Sequence, residues 1–169
     1  ITKYEPHMPL ARLWTFFNGG VPSEMIDDYY IDPSVNCALI RQKGEYKKAE
    51  GVAALYQLVG HPLYELGMNI YRDLSDCEFH PDYEYSYFKD EIRTELTRNL
   101  PKMLGQCKIG WLVNSVRDYS IVHQIGVSTR LTPSGIERKP FREKAKLISW
   151  LGLPLNCEIE FSKEHPVHQ

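Results

Sequence analysis

No stretch of this 169-residue chain is apolar over the ~20 residues that a helical membrane crossing needs. None of its four cysteines (Cys37, Cys77, Cys107, Cys157) stands in a C-x-x-C pair, and no G-x-x-x-x-G-K-[ST], G-x-G-x-x-G or G-x-S-x-G occurs. Each absence removes a class. The first argues against a membrane protein, the second against a ribbon-type zinc site or a dense secreted scaffold, and the third against phosphate-loop, dinucleotide and serine-elbow chemistry. Internal repeats, low-complexity tracts and linkers are missing too, so one domain over residues 1–169 is expected. Reduced, mostly buried thiols in an intracellular protein, cytoplasmic or nuclear, fit this cysteine usage, with two remote disulfides as the open alternative.

What is present is a charge asymmetry. The formal net charge is −2, but residues 1–92 carry 8 basic and 15 acidic side chains, whereas residues 93–169 carry 12 and 7. Ten of the eleven tyrosines also fall in the acidic part. Charge separated in this way speaks of association rather than fold.

Periodicity supplies the elements. Leu10, Leu13, Trp14, Phe16 and Phe17 form an apolar patch near the start, and Pro22-Ser23-Glu24 with Asp27 and Asp28 reads as a short helix opening. The run from Cys37 reads as a strand with a turn at Lys43-Gly44. Val52, Leu55, Tyr56 and Val59 at helical spacing predict a helix from about Lys47 to Val59. Leu63, Leu66, Ile70 and Leu74 share a helical face, and Phe88, Ile92, Leu96 and Leu100 predict a further helix that Pro101 kinks or ends.

In the second half, "KIGWLVNS" and "YSIVHQIGVSTRL" are rich in β-branched and aromatic residues and read as a hairpin about Arg117-Asp118. A turn at Pro133-Ser134-Gly135, a basic helix carrying Phe141, Ala145, Ile148 and Leu151, and a closing strand "CEIEFSK" complete the reading. The expected fold is α+β, with a helix-rich acidic part (1–105) packed against a small, mainly antiparallel, basic sheet part (106–169).

Candidate chemistry is sparse. Cys77-x2-His80 and His165-x2-His168 have zinc-compatible spacing, although packed side chains and a terminal tail explain them as well, and no metal site is assigned. Cys37 or Cys107 with His123 would make a nucleophile and base only if the fold joined them. "DYEYSYF" alternates Asp82, Glu84 and Ser86 with Tyr83, Tyr85 and Tyr87, a surface suited to a protein partner if extended. The run Arg130, Arg138, Lys139, Arg142, Lys144 and Lys146 is a candidate phosphate-contacting surface.

Glu137 and Lys139, one residue apart on a short strand, project from one face. The order helix, strands, Glu-x-Lys, helix, strand over roughly residues 87–161 resembles the PD-(D/E)xK nuclease superfamily. That resemblance implies a divalent cation such as Mg2+ shared by Asp118 and Glu137, with Lys139 beside them and Glu91 or Glu95 as an added ligand. A tight turn at Pro133–Gly135 would displace Asp118 along its strand by about 30 Å, so the site needs a broad loop from Gly126 to Gly135. The leading expectation is a non-catalytic interaction module that binds a protein or nucleic-acid partner without a cofactor. The metal-dependent nuclease is the alternative.

Overall fold

The structure, a computed structural model, describes residues 26–46, 48–81, 98–130 and 134–155. Strand β1 (Ile26–Asp32) leads through a turn at Pro33–Val35 into β2 (Cys37–Tyr46). Helix α1 (Lys48–Val59), strand β3 (Asn69–Phe79), the short helix α2 (Leu100–Leu104), strand β4 (Cys107–Val113), helix α3 (Val116–Arg130), strand β5 (Ile136–Phe141) and helix α4 (Lys144–Leu151) follow in order. The five strands form one sheet in the order β1-β2-β3-β4-β5. Only β1 and β2 are antiparallel; β2, β3, β4 and β5 run parallel.

This corrects the expected architecture. The sheet is mostly parallel, begins at residue 26, and alternates with helices rather than following a helical half. The reversal between β1 and β2 is local: Asp32 Oδ1 accepts from the Ser34 amide at 2.9 Å, and Asn36 takes the left-handed conformation at φ 51°. Asp27 and Asp28 therefore sit in a strand, not in a helix opening. Later strands are joined by crossovers and added in one direction, so right-handed connections place their helices on one face. Accordingly, Ala54, Leu55 and Leu58 of α1 and Ile121, Val122 and Ile125 of α3 share a core with Ile40, Ile70, Ile109 and Ile136. Helix α4 covers part of the other face, where Leu147, Ile148 and Leu151 meet Leu39, Tyr71, Leu112 and Phe141.

Two segments change type. Residues 69–79 form a strand rather than a helix, because β3 is central and buried on both faces; Arg72 and Asp73 are themselves buried within it, so neither apolar alternation nor a clean apolar run is visible. Residues 116–130 form α3 rather than a hairpin arm. Its buried positions are Asp118, Ile121, Val122, Ile125, Gly126 and Thr129, a helical stripe disguised by an acid and a glycine, and packing of that stripe overrides the local preference of Ile, Val and Thr for strands.

A smaller correction follows the same logic: Gly44 lies within β2 at φ 95° rather than in a turn. Pro101 stands in the first turn of α2, where its missing N–H costs little, and the helix that it is expected to kink or end lies outside the described residues. Helix α1 appears where the spacing places it, with its buried stripe at Gly51, Ala54, Leu55 and Leu58. Helix α4 ends at Gly152, which caps it at φ 75°. The expected patch at residues 10–17, the helix residues 88–96, the "DYEYSYF" alternation and the closing strand lie outside the described residues, as do Glu91, Glu95, Cys157, His165 and His168.

Candidate functional site

In an open sheet of parallel strands, ligand sites gather at the carboxyl ends of the strands, where the loops diverge. Here the ends of β2 and β3 border a cleft of about 400 Å³ lined by Gly44, Glu45, Asp76, Glu78, Phe79, His80 and Pro81. Its shape originates in an irregularity. Between the pairs Arg41↔Asp73 and Lys43↔Asp76, β3 advances one residue more than β2. Asp73 secures this bulge, accepting from the Ser75 amide at 3.1 Å and hydroxyl at 2.5 Å while pairing with Arg41 Nε at 3.2 Å. A bulge re-aims the residues beyond it. Past it, Asp76 and Glu78 are exposed while Cys77 and Phe79 turn into the core.

The charge here is unbalanced. Glu45 stands directly across from Glu78 in the β2–β3 register, and like charges at facing positions destabilise a sheet. Among the described residues neither forms an ion pair. Of the nearby cations, Lys43 faces Asp76 in the register, and Arg117, at the start of α3, donates to the carbonyls of Phe79 (3.1 Å), His80 (2.9 Å) and Pro81 (2.8 Å), fixing the chain as it leaves β3. Asp118 lies buried beside it, its amide donating to Ser115 Oγ at 2.9 Å. Burial pushes the Asp118 carboxyl above the ordinary aspartate value, Ser115 and Arg117 draw it back, and Glu78 adds to the upward push.

The nuclease set does not converge. Asp118 is on a helix over one face, near the carboxyl end of β4. Glu137 and Lys139 are exposed on β5 and alternate with the buried Ile136 and Arg138, so they project from the opposite face, with Lys139 Nζ 5.4 Å from the Phe141 ring centre. Glu137 also pairs with Lys108, five residues before the end of β4, which adds about 17 Å along the strands. These three side chains do not make a donor set for one divalent cation. Among the described residues no group of three or more His, Cys, Asp or Glu is placed to hold a metal ion.

Other candidates are also dispersed. Cys37 packs on the α4 side and Cys107 on the α3 side, while His123 is exposed on α3, its ring stacked near Tyr119. Burial raises the Cys107 thiol to about 11, so it is a poor nucleophile. Of the basic run, Arg142, Lys144 and Lys146 are exposed around the start of α4, with Lys146 paired to Glu143 at 2.5 Å; Arg130 sits at the far end of α3. Arg138 is only 3% exposed, beneath α3, where burial lowers its guanidinium to about 10.

Sequence reasoning missed Arg72, which sits on β3 among the apolar side chains of the α1–α3 face and is 1% exposed. One amino group donates to Gln42 Oε1, and the guanidinium carbon lies 5.2 Å from the Trp111 ring centre and 5.9 Å from that of Tyr46. Cation–ring contacts are worth up to about 2 kcal/mol each when dry, whereas an uncompensated buried ion costs several. Nothing in the sequence marks it, because the same segment also carries Asp73, Asp76 and Glu78 and its charges read as surface. Tyr46 in turn stacks on Phe79 of the cleft at 4.7 Å, so the two features adjoin.

Among the described residues no helix is long and apolar enough to cross a membrane. No protein-family model matches the chain, and no curated protein matches it. Among solved structures, the chain is similar to an uncharacterized protein of the DUF3478 family with a SpoIIAA-like fold from Shewanella loihica PV-4. The likeness has 12% identity and a TM-score of 0.43, over 78% of this chain and 99% of that one. A likeness this remote bears on neither partner nor chemistry.

Proposed function

We propose that this protein is a non-catalytic interaction module whose partner is a protein presenting lysine or arginine to the cleft at the ends of β2 and β3. The observation that carries this reading is the Glu45–Glu78 juxtaposition: two carboxylates face each other across neighbouring strands, at a cost that a docking cation relieves. Asp76, which faces Lys43 in the register, stands beside them, and the exposed Pro81 provides apolar surface for the stem of a long basic side chain. A nucleic-acid partner has less in its favour, since the candidate cations are divided between a buried position, an ion pair and two ends of the molecule.

The test compares two labelled probes, an oligolysine peptide and a single-stranded oligonucleotide, by fluorescence anisotropy across a salt series. The peptide is expected to bind with salt-sensitive affinity, and the Glu45→Gln/Glu78→Gln double variant to weaken it by about tenfold, on the scale of one charge-assisted contact. No peptide binding, or oligonucleotide binding that Arg142→Gln/Lys144→Gln abolishes, would overturn the reading; the second outcome transfers the role to a nucleic-acid surface.

A further inference from the structure

Arg72 and Trp111 are direct register partners on β3 and β4, and both point into the core beneath α1 and α3. Arg72 Nε and Trp111 Nε1 are each buried and meet no hydrogen-bond acceptor among the described residues. Two buried donors thus lie on adjacent central strands, with the guanidinium carbon of one 5.2 Å from the ring centre of the other. Among the described residues Arg72 donates to the neutral Gln42 amide, and no carboxylate pairs with it.

Buried donors are ordinarily satisfied, and buried charge is ordinarily matched by opposite charge. A water molecule would accept both hydrogen bonds but leave the positive charge unmet; a small anion answers both requirements. We propose that Arg72 and Trp111 form a buried site for one small monovalent anion of chloride or formate size. The surrounding rings and aliphatic side chains exclude bulkier or doubly charged species, which would carry an uncompensated negative charge into the core. An anion near the size of water needs no permanent channel, since local opening of a helix against the sheet admits it. The site is independent of the acidic cleft, and either can fail without the other.

The experiment follows thermal unfolding of the full chain in sodium chloride and in sodium gluconate at equal ionic strength, gluconate being too large to enter. Chloride is expected to raise the midpoint by roughly 5 °C relative to gluconate, because a ligand held only by the folded state stabilises it. Formate should act as chloride does. Trp111→Phe keeps the ring and removes one donor, and should weaken the apparent chloride affinity about tenfold; Arg72→Met should abolish the response. Equal midpoints in the two salts overturn the site, as does a chloride response undiminished in Trp111→Phe, a variant that keeps the test decisive if Arg72→Met does not fold.

Discussion

At the scale of single residues, the polar groups that matter are those the fold buries. Asp118 stands in the first turn of α3, where the helix dipole favours a carboxylate, yet desolvation prevails and its carboxyl is raised above the ordinary 3.8. A raised folded-state value means the native state holds the proton more tightly than the unfolded chain. Stability therefore falls as pH rises from the unfolded value through the folded one; the full cost is present above that window and absent below it. Asp118→Asn should flatten this dependence and leave the protein more stable at neutral pH. Urea unfolding at a series of pH values measures it, and a variant that loses stability at neutral pH would contradict the account. Neither Asp118 nor Arg72 could be recognised as buried from sequence, since charge is normally read as surface.

At the scale of elements, two glycines let helices approach the sheet closely from opposite sides. A methyl group at Gly126 of α3 would lie 2.8 Å from the Arg138 carbonyl oxygen on β5, and one at Gly110 of β4 would run into Leu147 of α4. Gly110→Ala is expected to destabilise by about 1–3 kcal/mol through overpacking. Combined with Leu147→Ala, it should cost distinctly less, because the two share one space. A double-mutant cycle by chemical denaturation checks this, and strict additivity would show that α4 does not seat on Gly110. The glycine at 126 is also why α3 was hard to read: it occupies the buried stripe and breaks the apolar spacing between Ile125 and Thr129. Helices α1 and α4 were legible because their stripes contain no charge and their ends carry glycine.

At the scale of the whole molecule, the helices divide into two cores, but the strands belong to both: β3 sends Ile70 and Leu74 to one face and Tyr71 to the other, and β4 does the same with Ile109, Trp111 and Leu112. Losing either core unseats the shared strands, so unfolding should be one cooperative transition. Leu58→Ala on the α1 face and Ile148→Ala on the α4 face, each costing about 2–5 kcal/mol, should shift near- and far-ultraviolet circular dichroism midpoints together. Midpoints that separate would mean the two faces fold independently. The sequence by itself determined the elements whose signals are local: α1 and α4 from spacing and caps, β4 from strand-forming residues, and the surplus of acid over base before residue 93. Only the tertiary structure decided the parallel order of the sheet, the helical state of residues 116–130, the meeting of Glu45 with Glu78 and the burial of Arg72. Those are pairings between distant segments, and a central strand covered on both faces carries no periodicity from which its neighbours could be read.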